Sequence, residues 1–242
     1  MKSKILASVL LLVAFAFAQF GQERPKTDKT DYYYHARTGM YFSTSFTFAY
    51  TSLSLHYEKT SWYGEDSGDK TFKGWLVPYH EVRLGGYYNE VAAIYGALGI
   101  GFGKGDFQRI ENLKDGDERG PKLEATSLKF LLGLGADIYP FQDKESALYN
   151  LYFGLCGGFA FEGAEITSEN TFKQSDANFH NFVARAEIGY DFWFSSRWRF
   201  GTSVNYTFGG NINNNERDSR SDYKDREGIA NHTIGLTLRI AH

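Results

Sequence analysis

Ile234-Gly235-Leu236-Thr237-Leu238-Arg239-Ile240-Ala241, which ends one residue before the C-terminus, alternates four bulky apolar side chains with Gly, Thr, Arg and Ala. On an extended strand successive side chains point to opposite faces, so one face is wholly apolar and the other small or charged. A helix would scatter the same set around its circumference. Moving back along the chain, Trp198, Phe200, Val204, Tyr206 and Phe208 interleave with Arg199, Gly201, Ser203, Asn205 and Thr207. Before them, Phe182, Ala184, Ala186, Ile188, Tyr190, Phe192 and Phe194 interleave with Arg185, Glu187, Gly189 and Asp191.

The same period of two continues upstream. Leu151, Phe153, Leu155, Phe159 and Phe161 oppose Gly154, Cys156, Gly158, Ala160 and Glu162, and Leu128 to Ile138 oppose Lys129, Gly133, Gly135 and Asp137. Ile94, Leu98, Ile100 and Phe102 oppose Tyr95, Ala97, Gly99, Gly101 and Gly103. Val82 and Leu84 against Glu81 and Arg83, and Met40, Phe42, Phe46 and Phe48 against Gly39, Ser43, Ser45 and Thr47, bring the count to eight strands. After Tyr50 the apolar phase shifts to Leu53, Leu55 and Tyr57. That shift is read as a bulge carrying the first strand beyond a bilayer, with a ten-strand count as the alternative.

Composition agrees with β-structure. Aromatic residues make up 17% of the chain, Gly is frequent at 26 residues and Pro scarce at 4, unlike disordered chains, collagens or helical bundles. The formal net charge of −3, with no basic tract, excludes nucleic acid as a partner class. A single cysteine, Cys156, excludes an intrachain disulfide framework and a Cys-based zinc cluster.

Met1-Lys2-Ser3-Lys4, an apolar stretch over residues 5–17 and Ala16-Phe17-Ala18 before Gln19 form a signal peptide pattern, so residues 1–18 are expected to be removed on export. No later apolar run is long enough for a helical span, which needs about 20 residues. Residues 19–36, polar and containing Tyr32-Tyr33-Tyr34, read as a periplasmic lead-in, and 37–242 as the barrel domain. Connections alternate in length. Turns near Asn89-Glu90, at Ser195-Ser196-Arg197 and over 140–147 are short, whereas 58–73, 109–124, 164–180 and 209–230 are long and polar. Bacterial outer-membrane barrels have short periplasmic turns and longer extracellular loops, which places both termini in the periplasm. Tyr87, Tyr88, Tyr139, Phe141, Tyr149, Phe192, Phe194 and Trp198 gather near the short turns and are expected to form an interfacial girdle.

Alternation alone would also suit a soluble lipocalin-like carrier with its apolar face inside. The polar face decides between them. It is rich in Gly, Ala and Ser with scattered single charges, as the narrow interior of an eight-stranded barrel requires, and the bulky face holds more rings than that lumen could contain. The expected fold is therefore all-β, an eight-stranded antiparallel up-and-down transmembrane barrel with lipid outside. An exported chain of this design resembles the small outer-membrane β-barrel family of OmpA/OmpX type, over about residues 37–242. The resemblance implies outer-membrane residence, a monomer and no shared catalytic site. Such barrels usually end in an aromatic residue; here the chain ends Arg239-Ile240-Ala241-His242, with the flat His242 ring in the lipid-facing register.

Glu81, Arg83, Lys129, Asp137, Glu162, Arg185, Glu187, Asp191, Arg199 and Arg239 all fall on the inferred inner face. Unpaired charge there would be costly, so these residues are expected to pair across strands into a structural network that plugs the lumen. Glycines at 99, 101, 103 and 105 share a strand face rather than opening a helix, so no phosphate loop is read there. The carboxylates near Asp115 and over 213–227 do not match a calcium loop, and the six histidines show no metal-ligand spacing. No cofactor, metal or catalytic residue is assigned. A membrane hydrolase using His232, Ser203 and Asp191 at one rim is the second function class, and the soluble carrier the third. The first is a structural or adhesive barrel whose loops, with Trp62, Tyr63, Tyr223 and the mixed charges of Glu216-Arg217-Asp218 and residues 222–227, meet surface polysaccharide, host or neighbouring protein. Leu236→Arg should cost about 2–4 kcal/mol near the bilayer midplane, read from unfolding in lipid vesicles; no loss would argue against lipid contact.

Overall fold

The computed structural model describes residues 37–61, 64–113, 116–166, 175–195, 197–215 and 225–242. The expected signal peptide and lead-in, and the loop residues Trp62, Tyr63, Glu216, Arg217, Asp218 and Tyr223, lie outside the described residues. Nine strands follow one another: β1 (Met40–Ser61), β2 (Gly64–Tyr88), β3 (Ala92–Leu113), β4 (Gly116–Arg119), β5 (Leu123–Ile138), β6 (Leu151–Ile166), β7 (Ser175–Trp193), β8 (Arg199–Asn215) and β9 (Asp225–Ala241). Every pairing is antiparallel, and β9 pairs with β1, closing the sheet. β4 pairs only with the far end of β3, so the barrel itself has eight strands.

Closure leaves no sheet edge in the barrel wall. The bulky face looks outward: Leu134 is 76% exposed, Leu98 and Ile94 62%, Phe102 54%. This apolar band runs from Leu128 to Ile138 on β5 and from Ile94 to Phe102 on β3, close to the about 9–11 residues that a tilted strand needs to cross the hydrocarbon core. A soluble carrier would turn these residues inward. Those outward rings and aliphatic chains require an apolar surround, so the barrel spans a membrane.

The long loops of the sequence reading are largely strand. β2 has 25 residues and β3 has 22, at least twice the about 9–11 residues of a membrane crossing, so the ladder continues well past the band on the long-loop side. Lys73 pairs with Asp106, and Asp106 with Glu124, on the outer face just past Trp75 and Phe102. At the opposite end, Asn89 (φ 49°) and Glu90 (φ 60°) are both left-handed in the three-residue connection Asn89-Glu90-Val91, a tight turn closed by Val91 N–H donating to Tyr88 O at 3.0 Å.

The expected bulge after Tyr50 is not there. β1 alternates without interruption, with Ala49, Thr51, Leu53, Leu55 and Tyr57 buried and Ser52 and Ser54 facing out. What changes is the surround: past the membrane the outside is water, so the apolar face becomes the inner one. The bulge lies in β2 instead, where Leu76 pairs with Ala49 and Tyr79 with Thr47, leaving Val77 and Pro78 opposite Phe48. Both bulge residues are exposed outward, where a proline's missing N–H leaves no ladder gap to fill.

Inside, Leu53, Leu55, Phe72, Phe107, Ala125 and Ala164 form an apolar cluster at the long-loop end. Ala49, Leu76, Tyr79, Leu131, Ala160 and Val183 form a second nearer the middle. Glycines make room for the rings, since a Cβ at Gly99 or Gly101 would run into the Tyr79 side chain. The Phe72→Ala variant, at a fully buried site, should lose about 3–5 kcal/mol of unfolding free energy. Urea titration of the folded protein in vesicles reads this, and an unchanged midpoint would count against an apolar layer beyond the membrane.

Candidate functional site: the charged lumen

Strand alternation brings the inward charges into one space, and the barrel's small radius brings distant strands within reach of each other. Arg83 of β2 donates from Nε to Glu81 Oε1 at 2.7 Å and from Nη2 to Glu187 Oε2 of β7 at 2.7 Å, and its Nη1 lies 3.3 Å from Asp137 Oδ1 of β5. Arg185 grips the same Glu81 through two bonds of 2.6 and 2.8 Å. Arg239 of β9 forks onto Asp191 at 3.0 and 2.8 Å and reaches Asp137 Oδ2 at 2.7 Å. Paired N–H donors from a planar guanidinium give such contacts both strength and direction.

Seven of the expected network residues, Glu81, Arg83, Asp137, Arg185, Glu187, Asp191 and Arg239, therefore form one continuous system. Arg199 joins it at the edge, 3.4 Å from Asp191 Oδ2, and contacts Tyr87 Oη and Tyr139 Oη. Lys129 does not. It sits apart on the long-loop side of the second apolar cluster, facing Glu162 across β5 and β6 at 3.3 Å.

Sequence reasoning missed the tyrosines. Tyr41 and Tyr95 donate to Asp137 at 2.9 and 3.1 Å, Tyr152 and Ser203 to Glu187 at 2.7 Å each, Tyr139 to Asp191 at 3.1 Å and Tyr79 to Glu81 at 3.2 Å. A carboxylate accepting two or three such bonds keeps its charge at a modest cost. The alternation already placed Tyr95 on the inner face, and that was the available signal. The expected girdle is corrected accordingly: Tyr88, Phe141, Phe194 and Trp198 face out, but Tyr139 and Tyr149 are buried in the lumen mouth and half-buried Tyr87 turns in. Their hydroxyls and ring faces serve charges rather than headgroups. Arg37 shows this: it lies over the Tyr139 ring at 3.9 Å and the Tyr149 ring at 4.1 Å, and donates to Tyr149 O and Asn150 Oδ1.

The rim triad does not assemble. Ser203 is buried and bonded to Glu187, Asp191 is held by Arg239, and His232 is exposed on the outer face, 2.8 Å from Tyr206 Oη. Ser203 pairs with Thr237 on the inner face and His232 with Phe208 on the outer face, five positions further along the ladder, which separates the two. Among the described residues no group of three or more His, Cys, Asp or Glu could hold a metal ion. Cys156 is buried on the inner face. His242 pairs with Phe42 through the backbone and sets its ring edge-on to Trp198, 5.0 Å between centroids, so the terminal ring sits on the outer wall.

No family model matches the chain, and no curated relative does either. Solved structures do. The outer membrane protease OmpT from Escherichia coli is 8% identical, with 83% of this chain and 96% of that chain covered and a TM-score of 0.38. The solid-state NMR structure of outer membrane protein AlkL in DMPC bilayers is 10% identical, covering 92% and 96%, with a TM-score of 0.44. Ail, the attachment invasion locus protein of Yersinia pestis, is 12% identical, covering 82% and 97%, with a TM-score of 0.37. Likenesses this distant assign no residue a role. The closed antiparallel wall, its outward apolar band and its charged interior define a transmembrane β-barrel protein of the outer membrane.

Removing one partner of the network leaves its mates buried and short of a charge partner. Arg239→Met should therefore cost about 3–5 kcal/mol, because Asp137 is left with Arg83, Tyr41 and Tyr95 and Asp191 with only the edge contact of Arg199 and the Tyr139 hydroxyl, whereas Lys73→Met on the outer face should change stability little. Unfolding of both variants in vesicles gives the comparison, and equal effects would refute a network role for Arg239.

Proposed function

We propose that this protein is a closed-lumen outer-membrane barrel whose work is surface contact, carried by the strands and loops that stand above the membrane. The carrying observation is the extension of β2 and β3 to at least twice the length of a membrane crossing. A barrel built only to seal or to anchor would gain nothing from it. The extended part has a polar outer face, with Ser52, Ser54, Lys73, Lys104 and Asp106, wrapped around an apolar core, so it resembles a small soluble domain grown directly from the membrane wall.

The closed lumen is part of the same reading. Glu81, Arg83, Asp137, Arg185, Glu187, Asp191 and Arg239 span the interior as ion pairs, and the two apolar clusters lie above them. Neither catalysis nor transport is assigned. The chain reaches the outer membrane, in this reading, after cleavage before Gln19, with residues 19–36 periplasmic and the barrel monomeric.

Two measurements test this. In planar bilayers the wild-type protein and Glu187→Ala should both show no pore current, with the variant less heat-stable; a steady conductance in the wild type would end the closed-lumen reading. Nanodisc-embedded protein printed against an array of bacterial and host polysaccharides, or incubated with intact cells, should bind, and trimming the loops with protease while the barrel stays folded should abolish that binding. Binding that survives trimming would take the contact away from the loops and leave it to the extended strands, and binding to no surface would remove the contact role.

A further inference from the structure

Along β1, β5 and β6 the inner face passes from apolar to polar and back to apolar, and the polar positions Lys129 and Glu162 of β5 and β6 pair with each other. On β1, Thr51 falls between Ala49 of the middle apolar cluster and Leu53 of the upper one. On β5, Ser127 and Lys129 fall between Leu131 and Ala125, and on β6 Glu162 falls between Ala160 and Ala164. Asn181 of β7 lies one inward position above Val183, and on β9 Thr233 pairs with Thr51 and Asn231 with Leu53. On β1, β5 and β6 a polar layer is thus held between two apolar ones.

This layer is where the buried polar groups go unsatisfied. Apart from three arginine nitrogens at the short-turn end, every buried side-chain N or O atom without a hydrogen-bond partner among the described residues belongs to it: Ser127 Oγ, Lys129 Nζ, Glu162 Oε1 and Oε2, Asn181 Nδ2 and Oδ1, and Asn231 Nδ2. The four residues Ser127, Lys129, Glu162 and Asn181 are all at most 4% exposed. Lys129 Nζ does approach Glu162 Oε2 at 3.3 Å, yet off the hydrogen-bonding direction, so the pair neutralises charge without satisfying either group. Gly74 and Gly103, on the facing strands β2 and β3, add no side chain to the layer. Contrast the lower network, where tyrosine and serine hydroxyls complete the carboxylates.

Buried donors and acceptors left bare cost free energy, and native proteins fill such places with ordered water that makes about three bonds each. We propose that Ser127, Lys129, Glu162 and Asn181, with Asn231 across the lumen, form an enclosed hydration site that binds a cluster of water molecules between the two apolar layers. The set supplies both signs of hydrogen bonding, ammonium and amide donors with carboxylate and amide acceptors, which is the chemistry of water rather than of an ion. Leu76, Leu131 and Val183 below, and Leu53, Phe72 and Phe107 above, wall the cluster off from both ends of the barrel. The lumen then holds water that is not continuous with either side.

Water-to-protein magnetisation transfer by NMR on the folded full barrel in lipid tests it. Transfer should reach the Asn181 side-chain amide and the Lys129 ammonium strongly, and the methyl groups of the walling Leu76, Leu131 and Leu53 only weakly. Asn181→Leu, which fills the site with an apolar chain of similar size, should remove the transfer to Lys129 while the ion network below is unchanged, as read from the Arg83 and Arg239 side-chain resonances. Absence of transfer to Asn181 and Lys129 in the wild type would overturn the site. Transfer reaching the leucine methyls as strongly as the polar groups would mean a continuous water column, and would overturn its enclosure. Should Asn181→Leu not fold, Ser127→Ala gives the same reading through weakened transfer to Lys129, and transfer unaltered by it would remove Ser127 from the site.

Discussion

Closure of a narrow barrel imposes the constraint on which everything else rests: every second side chain of eight strands must share one lumen. Side chains that could point into water in an open sheet are forced into contact with strands far away in sequence. Arg83 of β2 meets Glu187 of β7, and Arg239 of β9 meets Asp137 of β5. Such charges have no solvent to fall back on, so each guanidinium must find carboxylates and each carboxylate must find further donors. The tyrosines do the second part, and glycines opposite them give the rings room.

Seen from the outside, the wall is the same ladder throughout, but its surround changes along its length. Where lipid lies outside, the large apolar residues face out and the small and charged ones face in. Past Tyr50, Trp75 and Phe102 the surround is water, and Leu53, Leu55, Phe72 and Phe107 turn into the core of the extension. A single continuous strand thus carries two opposite patterns with no break in its backbone. That exchange lets one barrel be both a membrane protein below and a rigid surface structure above.

Fold class and the number of strands in the barrel could be read from the chain, and the ten charged residues that alternation sends inward, from Glu81 to Arg239, are buried, whereas Arg37 in the lumen mouth was not read. Period-two alternation is a local property, since the pleat alone sends neighbours to opposite faces. The bulge could not be located the same way. A change of hydrophobic phase looks identical whether the backbone slips or the surround changes, and only the pairing of Ala49 with Leu76 and Thr47 with Tyr79 separates the two. For the same reason long polar segments read as loops, although residues on them continue the ladder.

What the sequence by itself determined was the face of the wall on which the strand charges from Glu81 to Arg239 lie; what the tertiary structure decided was which of them meet and which rings join them. Lys129 looked like one more member of a single network until strand register and height separated it from Arg83 and Arg239 by an apolar layer. Tyr139 and Tyr149 looked like interfacial anchors until the curvature of the barrel mouth turned them over Arg37. Alternation is set within two or three residues, but pairing across a closed cylinder depends on where strands dozens of residues apart come to rest.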